Sequence, residues 1–142
     1  MAQEPGQGAL RPLPEITDDN RPFWEGCRRH QLLVQRCRAC GACRLGSPIC
    51  PQCWGLEAEW VPASGRGRVY TWSIMYQRYH PFFHQRLPYN LTVVELEEGP
   101  RLLTNLVGVR NEDIRADLPV EVEFEDVDEE VSLPVFRPAQ QG

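Results

Sequence analysis

The sequence contains no lysine, so all 15 of its basic residues are arginine. Arginine is the cation suited to bidentate contacts with carboxylate and phosphate groups. Acidic residues outnumber it, the net charge is −5, and seven of the 20 acidic residues lie within residues 121–130. Because such a surface repels a phosphate backbone, the charge balance argues against nucleic acid as a partner.

Long apolar runs are also missing. No stretch of about 18 apolar residues exists, as a membrane-spanning helix would need, and the first residues lack the charged-then-apolar order of a secretory signal. We therefore expect a cytoplasmic protein that makes no membrane contact.

Sequence signatures of catalysis are absent as well. The chain has no G-x-S-x-G elbow, no G-x-x-x-x-G-K-S/T loop and no H-E-x-x-H motif, and its histidines are His30, His80 and His84. A metal pair of His80 and His84 would need a helix, which Pro81 opposes. The sequence predicts a protein that is not an enzyme by itself.

Cysteine, in contrast, is concentrated: five of the six cysteines lie within residues 37–53. In a reducing compartment, paired C-x-x-C motifs favour metal over disulfides. The pairs Cys37-x-x-Cys40 and Cys50-x-x-Cys53 have the spacing of a two-knuckle zinc ribbon. Four thiolates favour a structural Zn²⁺ with no open coordination position, although iron fits the same geometry.

Cys43 is the surplus cysteine of this segment. Because Cys40-x-x-Cys43 is itself a possible pair, an alternative register replaces Cys37 with Cys43. Gly41 favours the first register, since it follows Cys40 where a left-handed turn is needed, whereas Arg44 follows Cys43. The predicted ligands are therefore Cys37, Cys40, Cys50 and Cys53.

Residues 17–34 predict a short N-terminal helix. Asp or Asn at positions 18–20 can cap it, and Phe23 and Cys27, with His30 if the helix extends that far, fall on one face. Cys27 is then explained as a small apolar residue of that face rather than as a ligand.

From Trp60 onward the apolar period drops to two, which predicts β-strands. Residues 97–100 (EEGP) are short enough to make their neighbouring strands an antiparallel hairpin, and residues 108–119 can hold one helical turn. Five strands favour an OB-fold barrel, with an SH3-like barrel as the alternative. The predicted strands cover residues 69–76, 91–96, 101–108, 120–125 and 131–136.

The sequence thus predicts a mainly β chain with an N-terminal helix, a zinc ribbon and a five-stranded antiparallel barrel. Its parts are a flexible leader (1–16), a helical segment (17–34), the ribbon (35–58), the barrel (59–138) and a tail (139–142).

Two segments are candidates for binding. Residues 76–89 form an aromatic linker, with Tyr79, Phe82 and Phe83 at its centre, that either folds over a barrel end or anchors another protein or a ligand. In residues 64–70, Arg66 and Arg68 are candidate contacts to phosphate, although a glycine-arginine turn entering a strand is more often just a bend or bulge.

Seven blocks in order resemble a known family: RPFWEGC, LLVQRCRACG, PICPQC, SGRGRVYTWSIM, LPYNLTVVELEEGPRLLTNLVG, LPVEVEFE and LPVFRP. The family is that of acyl-CoA-associated zinc-ribbon/OB-fold proteins. The resemblance implies an N-terminal helix, a rubredoxin-like ribbon and a C-terminal OB-fold. It matches the four predicted cysteine ligands by position and puts Cys43 in a variable stretch.

The resemblance also implies a function. Members of this family are typically non-catalytic partners of thiolase-like enzymes, including acetoacetyl-CoA thiolases and the aldolases and hydratases that shorten steroid side chains. In some members the module is fused behind a hot-dog hydratase domain, so this chain can be one piece of a longer hydratase subunit.

The resulting hypothesis is an accessory subunit that binds a thiolase-superfamily enzyme through its barrel and aromatic linker and completes an acyl-CoA site. On charge grounds, the arginines around the ribbon and Arg66 or Arg68 are candidates to contact CoA phosphates or acidic patches of the partner, and Tyr79, Phe82 and Phe83 are the candidate aromatic contacts. The alternative is a single-stranded nucleic-acid-binding protein, since ribbons and OB-folds both serve that role. An autonomous acyl-CoA hydrolase would lack an assembled triad or base.

Overall fold

A computed structural model describes residues 13–76 and 88–139. In chain order these form helix α1 (Arg21–Arg28), strands β1 (Leu33–Cys37), β2 (Cys43–Arg44), β3 (Ala58–Pro62), β4 (Arg66–Met75), β5 (Tyr89–Leu96) and β6 (Arg101–Thr104), a 3₁₀ helix (Asn111–Asp113), and strands β7 (Pro119–Asp126) and β8 (Ser132–Pro138). The prediction of a mainly β chain with an N-terminal helix is confirmed. None of the described helices is long and apolar enough to cross a bilayer.

Helix α1 buries Phe23 and Cys27, as its apolar face predicted. Burial raises the pKa of the Cys27 thiol to about 12, so the side chain packs as a neutral apolar group. The helix ends earlier than a face including His30 requires, and that expectation was wrong. The Gln31 amide already bonds back to the Gly26 carbonyl (2.9 Å), and His30 has a left-handed backbone (φ 58°).

The first sheet has the strand order β2-β1-β3. β1 pairs antiparallel with β3 from Leu33 opposite Pro62 to Cys37 opposite Ala58. These strands were not foreseen as strands. The domain boundaries stay predictions, and this sheet crosses two of them, those after residues 34 and 58.

The second sheet has the order β6-β5-β4-β7-β8, and all of its neighbouring strands are antiparallel. The five predicted strands and the hairpin between β5 and β6 are confirmed. The predicted strand 101–108, however, ends at Thr104. Beyond it Asn105 accepts a bond from the Phe136 amide (3.1 Å), and Leu106 forms a parallel bridge to Phe136 that closes the curled OB-fold sheet.

One apolar core joins the two sheets and the helix. Val69, Val94 and Phe136 of the barrel are fully buried, and Phe23 and Val34 belong to the same cluster of contacts. The ribbon sheet is therefore held against the barrel by apolar burial, the dominant favourable term in folding.

Candidate metal centre

The four predicted ligands meet at one point. The Sγ atoms of Cys37, Cys40, Cys50 and Cys53 all lie within 4.8 Å of one another, and no other group of three or more Cys, His, Asp or Glu side chains gathers in this way among residues 13–76 and 88–139. The Cys37–Cys53 and Cys40–Cys50 sulfur pairs are each 3.5 Å apart. Four sulfurs about 2.3 Å from a tetrahedral zinc lie about 3.8 Å apart, so the cluster has the size of such a site, and all four cysteines are free thiols.

The first knuckle begins where β1 ends. The Gly41 amide donates to the Cys37 carbonyl (2.9 Å), and Gly41 adopts the left-handed backbone (φ 81°) that the sequence required of it. The turn aims the amides of Cys40 and Ala39 at the Cys37 sulfur, which lowers the pKa of Cys37 to about 6. A thiol held near its anionic form is a good metal ligand.

The second knuckle repeats this arrangement. The Cys50 amide donates to the Gly55 carbonyl (2.9 Å), and the amides of Cys53 and Gln52 lower the pKa of Cys50. The Gly55 N–H bonds the Cys53 sulfur (3.4 Å) and lowers its pKa, but the neighbouring Cys37 and Cys40 sulfurs outweigh it and raise that pKa to about 12. Bringing four sulfurs together therefore disfavours further negative charge unless a cation is present.

Gly55 leaves little space for a side chain beside the cluster. A Cβ atom built there would lie 3.2 Å from the Cys53 sulfur and 3.4 Å from the Cys37 sulfur. The backbone thus approaches the cluster as closely as a side-chain-free residue allows.

Arg44 holds the two knuckles together, which the sequence did not reveal. Its side chain is buried, and its guanidinium donates to the carbonyls of Ser47 (2.8 Å), Pro48 (3.4 Å) and Leu56 (3.4 Å). An arginine in a basic stretch usually indicates an exposed charge. Only the β2–β1 pairing, which was not predicted, turns this side chain inward.

Arg66 and Arg68, the predicted phosphate contacts, have different surroundings. Arg68 donates to Glu95 Oε1 (2.7 Å) and to the Asp117 carboxylate, so two acids already bind its charge. Arg66 is exposed, and no described residue forms an ion pair with it. Arg66 is thus the better placed of the two to meet an anion.

The aromatic candidates Tyr79, Phe82 and Phe83 lie outside the described residues. On the near side of that segment, Tyr76 is 72% exposed. On the far side Asn90 is buried, and its side chain bonds both the amide and the carbonyl of Leu106 (2.7 and 3.0 Å). The barrel end from which the linker departs is therefore tied down by a polar network.

A serine, a histidine and an aspartate meet beside β7. His30 Nε2 lies 2.8 Å from Asp126 Oδ1, the Ser132 hydroxyl donates to the same oxygen, and the His30 ring stacks on Phe124. A nucleophilic triad needs the serine on the imidazole, whereas here both groups bond the carboxylate. The cluster fastens the α1–β1 connection to the barrel and does not activate a nucleophile.

Comparison with known proteins places the chain in context. The family model described as ChsH2, C-terminal OB-fold domain, matches residues 60–125. The chain is 42% identical over 132 residues to the probable enoyl-CoA hydratase alpha subunit of Thermomonospora curvata, covering 92% of this chain and 41% of that protein. The chain therefore spans about two fifths of the length of this relative. It is 35% identical over 104 residues to a DUF35 domain-containing scaffold protein of Methanocaldococcus jannaschii, covering 72% of this chain and 73% of that protein.

Two further matches concern subunits of larger enzymes. The chain is 37% identical over 75 residues to the benzoylsuccinyl-CoA thiolase subunit BbsA of Geobacter metallireducens, covering 51% of this chain and 48% of that protein. Among solved structures, a chain of the Ltp2-ChsH2(DUF35) aldolase superposes with a TM-score of 0.78 at 39% identity, covering 89% of this chain and 98% of that one.

Proposed function

The chain belongs to the DUF35 family, and on that premise we propose that it is a non-catalytic accessory subunit that binds a thiolase-superfamily enzyme and helps to form or stabilise its acyl-CoA site. The observation that carries the proposal is the match to nearly the whole DUF35 chain of the Ltp2-ChsH2 aldolase. The relationship to a thiolase subunit supports the same class of partner.

The proposal gives the metal a structural role. Cys37, Cys40, Cys50 and Cys53 hold a zinc ion, which closes the ribbon as a four-thiolate staple with no position open for water. Iron suits the same donors, and zinc is favoured because tetrahedral coordination by four cysteine thiolates is the usual arrangement of a structural zinc site. Thiols of this kind stay reduced in the cytoplasm, where we place the protein.

The partner binds the barrel (59–138) and the aromatic linker (76–89), and Tyr79, Phe82 and Phe83 are the anchoring side chains. Aromatic side chains are the usual hot spots of protein interfaces. Arg66 supplies positive charge for CoA phosphates or for acids of the partner. Arg68 supplies less, because Glu95 and Asp117 already bind its guanidinium. The partner provides the nucleophile and the bond chemistry.

A nucleic-acid-binding role is not favoured. The barrel strand β7 and the turn after it carry all seven acids within residues 121–130, whereas an OB-fold that binds single strands needs a basic groove. An electrophoretic shift at low salt with a labelled single strand would reveal such binding, and we expect none.

Co-expression tests the proposal. The chain is produced with Ltp2 and, in parallel, with a thiolase-superfamily enzyme from its own genome. We expect a co-purifying complex whose enzyme is more soluble and more active on its thioester than the enzyme alone. An enzyme that is equally soluble and active by itself contradicts the proposal, as does turnover of a thioester by this chain alone.

The linker is tested in the same complex. Replacing Phe82 and Phe83 together with alanine should weaken binding by about tenfold or more. Leu13→Ala is the control, because Leu13 is exposed but lies outside the barrel and the linker. Equal binding by both variants would remove the linker from the interface.

A further inference from the structure

The two knuckles share one turn but differ in the residue that follows the second cysteine. In the first, the Gly41 amide bonds the Cys37 carbonyl at 2.9 Å with φ 81°; in the second, the Trp54 amide bonds the Cys50 carbonyl at 2.9 Å with φ 68°. A left-handed backbone is sterically strained for a bulky residue but not for glycine. Tryptophan thus occupies a position where glycine would fold with less strain.

The Trp54 side chain does not stabilise the fold in return. It is 80% exposed, and Leu56 and Ile49 beside it are 71% and 44% exposed. The segments carrying them lie side by side, because the Cys50 amide bonds the Gly55 carbonyl and Arg44 bonds the carbonyls of both Pro48 and Leu56. We call Ile49, Trp54 and Leu56 the Trp54 patch. A strained, exposed, large aromatic residue within an apolar patch indicates a contact with another molecule.

The charge around the patch selects the kind of partner. Residues 26–56 contain five arginines and no acid, whereas the rest of the chain has ten arginines and all 20 acids. The ribbon (35–58) has three arginines and one acid, Glu57, whereas the barrel (59–138) has eight arginines and 14 acids, so an acidic protein surface is repelled by the barrel but not by the ribbon. Arg38, in the first knuckle, is exposed and forms only a long ion pair of 4.0 Å with Glu59, which Arg36 binds more closely at 2.6 Å.

The same charges do not suit a nucleic acid. Arg44 is buried against carbonyl groups, and Arg36 is paired with Glu59 at 2.6 Å. Three arginines are left, two of them, Arg28 and Arg29, at the end of α1, too few for a backbone that carries one charge per phosphate.

We infer that the Trp54 patch docks into an apolar pocket with an acidic rim on the thiolase-superfamily partner. The inference rests on the proposed function and adds a second contact, on the ribbon, to the barrel and linker. Trp54 is the anchor, Leu56 and Ile49 fill the edge of the pocket, and Arg38 faces acids of the rim. A tryptophan buried at the centre of an interface is the commonest kind of hot spot.

The position of Trp54 permits an unusually clean test. Trp54→Gly removes the anchor and relieves the backbone, so the variant should bind zinc as the wild type does and melt at the same or a higher temperature. Its dissociation constant for Ltp2, or for a thiolase-superfamily enzyme from the same genome, should rise by about tenfold or more. Arg38→Glu should weaken binding as well, mainly through slower association, and Leu13→Ala should leave it unchanged.

The outcomes separate the two proposals. Wild-type binding that Trp54→Gly leaves unchanged overturns the docking site and spares the proposed function. Absence of wild-type binding to either enzyme overturns both. Binding of a single-stranded oligonucleotide at low salt that Trp54→Gly abolishes would assign the patch to nucleic acid and overturn the inference.

Discussion

Cys43 lies directly opposite Arg36 across the β1–β2 pair, whereas Cys37, the next residue along β1, belongs to the four-sulfur cluster. Successive side chains of a strand point to opposite faces. Cys43 therefore shares the face of Arg36 and points away from the sulfurs. Strand pairing, rather than the spacing of cysteines, excludes the fifth cysteine.

This relationship predicts the metal content of two variants. Cys43→Ser should retain one zinc per chain, because its side chain lies outside the cluster. Cys40→Ser should lose the metal and melt at a lower temperature, because three thiolates remain and the knuckle is open. Metal analysis after gel filtration measures both. Zinc retained by Cys40→Ser and lost by Cys43→Ser would establish the alternative register.

Arg44 is predicted to be the residue on which the ribbon most depends apart from the cysteines. Arg44→Met keeps much of the side-chain volume but deprives the carbonyls of Ser47, Pro48 and Leu56 of their donor. We expect a loss of about 2–4 kcal/mol in the free energy of unfolding, as for other broken buried networks. Zinc affinity, measured by competition with a chelator, should fall with it.

Arg36→Met is the matched control, because Arg36 lies in the same sheet but its guanidinium is exposed. We expect Arg36→Met to change the free energy of unfolding and the zinc affinity little, because an exposed ion pair contributes little to stability. If Arg44→Met were as stable as Arg36→Met and bound zinc with the same affinity, the two knuckles would not depend on the Arg44 side chain.

The contrast between these residues shows what the sequence could predict. The ligand set and the β5–β6 hairpin follow from local spacing, since a C-x-x-C turn and a four-residue link each fix their own geometry. The break after Thr104 depends on the bridge between Leu106 and the distant Phe136, and the Arg44 clamp depends on the fold of the loop up to Leu56. Apolar periodicity carries no information about such contacts.

Glu95 is predicted to make the barrel sensitive to acid. Arg68 on β4 and Arg101 on β6 donate to its two oxygens (2.7 and 3.2 Å) and hold the pKa of its carboxyl below the ordinary value. A lowered pKa in the folded state adds stability above the unfolded pKa of about 4.3, and this stability is lost as the pH falls through the folded value. Melting temperatures measured from pH 7 to pH 3 should therefore fall less steeply for Glu95→Gln than for the wild type.

Metal loss in acid affects both proteins alike, so the difference between the two melting curves isolates Glu95. The melting curve of Arg68→Gln should lie between those of the wild type and Glu95→Gln, because this variant lacks the first of the groups that lower the pKa of Glu95. If the melting temperatures of wild type and Glu95→Gln fell in parallel with pH, the ion pairs of Glu95 with Arg68 and Arg101 would not contribute to stability.

Gly26→Ala tests whether close approach, rather than helix propensity, decides the residue at this position. Alanine is favoured by about 1 kcal/mol inside a helix, which would stabilise the protein if propensity prevailed. A Cβ atom on Gly26, however, would lie 2.8 Å from both the Gln31 carbonyl oxygen and Leu33 Cγ. The backbone oxygen cannot shift without moving the connection between α1 and β1, so we expect the free energy of unfolding, measured by chemical denaturation, to fall by about 1–3 kcal/mol.

Arg28→Ala, at an exposed position of the same helix, should change stability by no more than about 0.5 kcal/mol. A Gly26→Ala protein more stable than the wild type would mean that the connection shifts freely and that the tight turn after α1 does not hold the helix in place.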